Sequence, residues 1–442
     1  MRQVWDIAIV GGGASGLAAA IEAGREAKQI GKELSILLLE KKEIPGKKLS
    51  VTGNGRCNLS NAACGHQQTV TDFFRAAGIA VREEEDGRRY PYNEDAQEVA
   101  AVLTEQARRL GVRIMTSCEI QSVEAMQTGG FHLFTMENNI AEEDRAATRR
   151  STKKAHDARK KITEESLDDA AQRLTAKTVL IATGGKSYGV FGSTGDGYRF
   201  ARALGHEVIT PVPALTAIDT AEDLTVLKGI RAKAQVSLLR DDRICAQEAG
   251  EVQFRADGLS GICILNLSGR IRLDKTSGRS IRALFADYRL VLNLVPDFTR
   301  TELLEFFQSH FALCDCCAAD LLRTLVKAPL AEYLLRRAGI RPEMSAAILS
   351  ASQLGVLADG LQHFSLTICG TKGWNEAQVT AGGVRESQVN ELTMESCLVP
   401  GLYFAGEVLE YAGPCGGYNL HHAWLTGIRA GRAMAAMLLL RT

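Results

Sequence analysis

The chain has 442 residues, 45% hydrophobic and 24% charged, with Lys+Arg and Asp+Glu both at 52. That length calls for two or three domains. The balanced charge disfavours a nucleic-acid or anionic-membrane partner, which would ask for a basic excess, and the apolar run "AMAAMLLL" at 433–440 is far short of a membrane span.

In chain order, "WDIAIVGGGASGLAAAI" at 5–21 reads as a buried strand, a glycine turn and a small-residue helix. Gly11, Gly13 and Gly16 have the GxGxxG spacing, with Ala14 and Ser15 between. The three glycines serve a tight turn, room for a pyrophosphate and close helix–strand packing, and the helix start offers free N–H groups and a positive dipole end. A second apolar strand, "LSILLLE", ends in Glu40, where a ribose hydroxyl would be held, with Lys41 beside it. This context predicts a dinucleotide site.

"GKKLSVTGNGRCNLSN" at 46–61 follows, with Lys48, Thr52, Gly53, Asn54, Gly55, Arg56, Cys57 and Asn58 as phosphate or flavin contacts. "DGRRYPYNEDA" adds Arg89 and Tyr90. The segment 141–174 balances acids and bases with almost no large apolar residues, so we expect a solvated insertion. "TAKTVLIATGG" is a strand ending in Ala182, Thr183, Gly184 and Gly185. Residues 209–298 alternate short strands and turns, as in a small barrel or sandwich, and 299–358 have helical periods punctuated by Pro329 and Pro342. A return strand is expected within 359–369, before the rest of the dinucleotide domain at 370–442. The domain is therefore expected to be split, its first part covering 1–208. "GLYFAGEV" ends in Gly406 and Glu407, just ahead of "AGPCGGYNLHHAW" with Gly416, Gly417, Tyr418, Asn419, Leu420, His421 and His422.

These segments, together with "ATGGKSYGVFGSTGDGY" and "AQVTAGGV", resemble the two-dinucleotide-binding-domain flavoproteins, and more narrowly the BaiN-like NAD(P)/FAD-dependent oxidoreductase family, which also holds aminoacetone oxidase. The resemblance implies an α/β fold with a split Rossmann-like FAD domain and inserted barrel and helical subdomains. It implies FAD as cofactor, with Glu407 at the ribityl chain and the turn at Gly416–Gly417 bringing a helix start to the flavin's pyrimidine edge. It further implies reduction of a C=C bond conjugated to a carbonyl in a small organic substrate, with NAD(P)H as transient donor, because no second dinucleotide fingerprint is present. An oxygen-using amine oxidase and a flavin-dependent RNA-modifying enzyme are the alternatives. His421–His422 and "FRADGLSGI" depart from the family pattern, so substrate identity does not carry over.

His421, His422, Tyr90 and Arg89 are the proton-donor or active-site candidates. Cys57 and Cys415, 358 residues apart, read as packing residues rather than a dithiol pair. "CDCC" lacks a second ligand cluster, so no metal site is expected. With no cleavable apolar leader, a cytoplasmic protein with reduced thiols is expected.

Overall fold

A run of apolar residues with no polar alternation can be buried on both faces, as parallel strands in α/β sheets are. Val4–Val10 is such a strand in this computed structural model, which describes residues 3–136, 171–273, 277–313 and 316–440. It pairs in parallel with Ile36–Leu39 on one side and Ala171–Ile181 on the other. Arg113–Met115 extends the first side, and Phe131–Met136 and Ile120–Ala125 add antiparallel strands to the second. Ala171–Ile181 changes partner along its length. Its residues 171–176 pair with Phe131–Met136, and Val179–Ile181 pair with Leu402–Phe404. The C-terminal part of the chain thereby completes the sheet begun by the N-terminal part.

Two compact units result: Met1–Pro211 with Thr380–Thr442, and Val212–Val379. In the first, the helix Ala14–Ile30 packs along the final helix Tyr418–Leu440. A Cβ on Gly427 would lie 2.3 Å from the Ser15 carbonyl oxygen, and one on Gly431 would lie 2.3 Å from that of Ala19. Small residues four apart on both helices let the two backbones touch.

In the second unit, Ile218–Thr220, Gly258–Ser260, Arg243–Arg255, Arg231–Arg240, Tyr288–Asn293 and Phe364–Thr371 close into a barrel. The arms of its long hairpin, Arg231–Arg240 and Arg243–Arg255, pair antiparallel with a shift of register between Leu238 and Leu239. Leu290 and Leu366 from the barrel share one hydrophobic core with Leu303, Leu334 and Leu357 from the helices. The chain thus has the expected α/β class: a split Rossmann-like domain with an inserted barrel and helices.

The charged insertion expected at 141–174 lies outside the described residues up to 170. Residues 171–174 are strand, because Leu174 pairs with Leu133 and packs on the core. Among the described residues, no helix is long and apolar enough to cross a membrane, and no group of three or more His, Cys, Asp or Glu could hold a metal ion.

Candidate functional site

The three fingerprint glycines have three different surroundings. Gly11 has φ +109°, and a Cβ there would lie 2.4 Å from the Ala182 carbonyl oxygen. At Gly16 a Cβ would lie 1.9 Å from the Gly11 carbonyl oxygen, so the helix can meet the strand only as glycine. At Gly13 a Cβ would meet nothing within 4 Å. Gly13 is also the helix N-cap, with no side-chain cap and no acid in the first turn. Open space, uncapped N–H groups and the positive dipole end therefore coincide at one point, which suits an anion such as a pyrophosphate. Thr183, at the tip of the neighbouring strand, has a buried hydroxyl without a hydrogen-bond partner among the described residues. Ser15 is turned inward, its hydroxyl donating to the Ala405 carbonyl at 3.2 Å, and bare Gly406 makes room for it.

Glu40 sits at the end of Ile36–Leu39 and braces the turn. Its carboxylate accepts the N–H groups of Gly12 and Lys42, both at 2.8 Å. Burial pushes its pKa up against these bonds. Lys41 pairs with Asp196 at 2.6 Å.

A second cluster surrounds Glu407. Its Oε1 accepts from the Thr380 N–H at 2.8 Å and the Ser187 hydroxyl at 3.0 Å, while Oε2 pairs with Lys48 at 2.7 Å. The Lys48 ammonium also donates to Ser187 at 2.8 Å. A Cβ on Gly185 would lie 2.4 Å from the Thr380 hydroxyl and 2.8 Å from Glu407, so this cluster closes only around glycine. Lys48 reaches it because the Gly46 N–H donates to the Gly12 carbonyl at 2.8 Å, tying its loop to the fingerprint turn. Ser187 and Thr380 lie in segments singled out by sequence, yet no charge or spacing marked them.

The loop Thr52–Asn58 is held in left-handed backbone at Gly53, Asn54, Gly55 and Cys57, with φ +59°, +57°, +85° and +59°. The Thr52 hydroxyl closes it by donating to the Leu49 carbonyl at 2.7 Å. Cys57 is fully buried, and desolvation pushes its thiol up to about 12. Arg56 lies over the Tyr90 ring, 4.4 Å from its centre, and donates to its hydroxyl at 3.2 Å. Arg89 is committed to Glu83 at 2.9 Å, and to Gln67 and Thr71. Adjacent on one strand, Arg89 and Tyr90 face opposite sides.

At the start of the last helix, Gly417 has φ +99°, and a Cβ there would lie 2.3 Å from the Ser60 carbonyl oxygen. The crowding at this glycine comes from protein backbone. Asn58 lies in the same contact, its amide oxygen set to accept from the Gly417 N–H at 3.1 Å and its nitrogen to donate to Ser60 at 2.9 Å. His421 has both ring nitrogens committed. Nδ1 accepts from the Ser60 hydroxyl at 2.8 Å and Nε2–H donates to the Gly65 carbonyl at 2.7 Å. Burial lowers its pKa. Asn419 clamps the preceding loop, accepting from the Gly413 N–H and donating to its carbonyl, each at 2.9 Å.

His422 stacks on Tyr411, ring centres 4.0 Å apart and planes 11° apart. Its Nε2 is buried with no partner among the described residues, and burial, then His421 and Arg429, lower its pKa to about 4. Tyr411 was not singled out by sequence.

A family model described as the HI0933-like protein Rossmann domain matches residues 140–433. The 3-dehydro-bile acid delta(4,6)-reductase of Clostridium scindens is 31% identical, covering 97% of this chain and 98% of that protein. The ribosomal RNA dihydrouridine synthase of Haemophilus influenzae is 26% identical, covering 96% and 97%. Among solved structures, the quinol fumarate reductase of E. coli is similar with a TM-score of 0.47 and 14% identity, covering all of this chain and 72% of that one.

Proposed function

The chain belongs to the family of HI0933-like proteins with a Rossmann domain, and on that footing we propose that it is an FAD-dependent oxidoreductase that reduces a C=C bond conjugated to a carbonyl in a small organic substrate. The observation that carries this reading is the near full-length similarity to a protein named as a bile-acid reductase. NAD(P)H is the proposed donor and the cytoplasm the proposed compartment. Bound FAD would accept a hydride from the nicotinamide and deliver it to the substrate.

The chain's own residues would hold and tune that group. The uncapped helix start after Gly13 suits the pyrophosphate, and a dipole end of this kind contributes roughly 0.3–2 kcal/mol to binding an anion. Glu40, each oxygen holding one backbone N–H, keeps acceptor capacity for a ribose hydroxyl. The Lys48–Glu407–Ser187–Thr380 cluster supplies donors and acceptors for a polyol. The turn at Gly416–Gly417 and the start of the last helix would stabilise negative charge at the ring edge.

The test is spectroscopic. Purified protein should be yellow, and NADH or NADPH should bleach the flavin band without oxygen. An enone should then restore it. Protein that stays colourless after addition of FAD would end this reading.

A second reading is favoured by one observation, the 26% identity to a ribosomal RNA dihydrouridine synthase. Uracil also carries a C=C bond conjugated to a carbonyl, so the chemistry would be the same and only the substrate would differ. The net charge of zero counts against an RNA partner. Dihydrouridine appearing in ribosomal RNA incubated with the protein and NADPH would decide for it.

A further inference from the structure

Reduction of a conjugated C=C bond needs a proton donor as well as a hydride donor. Two of the candidates have their protons bound elsewhere, His421 to the Gly65 carbonyl and Arg89 to Glu83, and the third, Tyr90, is buried with its hydroxyl accepting from Arg56. We propose that Tyr411 is the residue that protonates the substrate's α-carbon, with His422 as the positioning residue that holds its ring. This rests on the reading of the chain as an FAD-dependent reductase.

Three observations support the assignment. The first is Gly413. Its backbone does not lie in the left-handed region, so conformation does not demand glycine there. A Cβ at Gly413 would instead lie 2.7 Å from the Tyr411 hydroxyl oxygen and 2.9 Å from the Tyr418 Cβ. The missing side chain is space for the Tyr411 hydroxyl, in the loop that leads to Gly416 and Gly417. Second, Tyr411 is only half-buried, and its hydroxyl has no hydrogen-bond partner among the described residues. Third, the parallel stack with His422 fixes the phenol ring in one plane.

The surroundings keep the proton in place until it is used. Burial, followed by Cys64 from the 62–66 loop, Glu386 and Tyr418, raises the Tyr411 pKa. On the stacked side, His422 faces burial, His421 and Arg429, all of which disfavour its charged form. In the step itself the substrate's β-carbon receives a hydride from the reduced cofactor, which NAD(P)H replenishes. The α-carbon takes the proton of the Tyr411 O–H bond. The C=C π bond is consumed, two C–H bonds form, and water returns a proton to the tyrosinate.

The experiment is stopped-flow on the FAD-loaded Tyr411→Phe protein. Anaerobic bleaching by NADPH should stay within about twofold of wild type, and reoxidation by an enone should slow about 10²–10⁴-fold. Reoxidation by oxygen, which needs no carbon protonation, should be unchanged. Alkaline titration of tyrosinate absorbance in the FAD-free protein should lose one late-titrating phenol in the variant. His422→Ala should slow enone reoxidation and His422→Phe, which can still stack, should restore it. If Tyr411→Phe does not fold, Gly413→Ala should produce the same selective loss by displacing the hydroxyl.

Enone reoxidation at the wild-type rate in Tyr411→Phe would overturn the assignment, as would selective stalling in Tyr418→Phe or Cys64→Ser. A wild-type protein that binds FAD but returns electrons to neither an enone nor uridine would overturn the parent reading, and this proposal with it.

Discussion

Gly427 rests on the backbone of Ser15: no side-chain atom fits between them, since a Cβ would stand 2.3 Å from the carbonyl oxygen. The contact fixes the start of the first helix, the end that faces the proposed pyrophosphate position. A methyl at Gly427 must therefore push two helices apart. Gly427→Ala should destabilise the protein by about 1–3 kcal/mol. It should also weaken FAD binding, read by thermal melting with and without FAD. An unchanged melting temperature would contradict the close packing.

Lys48→Met removes the cation that pairs with Glu407 and the donor to Ser187. Charge-assisted hydrogen bonds of this kind are worth about 1.5–3 kcal/mol. FAD affinity should fall roughly 10–100-fold, measured by flavin fluorescence on titration. Wild-type affinity would show that this cluster does not contact the cofactor.

His422 gives stability a defined pH dependence. Its folded pKa, about 4, lies below its ordinary value of 6.5, so the unfolded chain binds the proton first as pH falls. The stabilising contribution is therefore complete above about pH 6.5, declines as pH falls, and is lost near pH 4. It amounts to about 3 kcal/mol. His422→Phe should flatten the denaturation midpoint over that window.

Cys57, buried and with its thiol pushed up to about 12, should resist alkylation in native protein, whereas exposed Cys245 and Cys397 should react promptly. Mass spectrometry after a short iodoacetamide pulse reads this directly. Serine at Cys57 and Cys415 together should leave turnover intact.

Much of this was legible in the sequence because its signals are local. Gly11, Gly13 and Gly16 have separable mechanical roles, and the structure sets Gly11 against Ala182, Gly16 against Gly11, and Gly13 beside open space. Glu40 could be found by counting to the end of the next apolar run. Gly417 could not be read so simply. Its glycine is demanded by Ser60, hundreds of residues earlier, and only the folded chain shows that the close neighbour is protein. The clamp of Asn419 on Gly413 could not be read from spacing either. Tyr411 carried no signal, because neither the stack with His422 nor the space at Gly413 has a spacing rule. Ser187 and Thr380 were hidden for the same reason: their roles depend on converging around one carboxylate.

The strand Ala171–Ile181, paired at its far end with Leu402–Phe404, has a consequence for synthesis. A ribosome adding roughly 5–20 residues per second needs about 10–40 s to make the intervening chain. Throughout that interval Val179–Ile181 present an open strand edge, and the first helix shows its bare small-residue face to water. The nascent N-terminal part therefore keeps apolar surface uncovered until its late partners are made. Release of the last helix from the exit tunnel is the event that seals it.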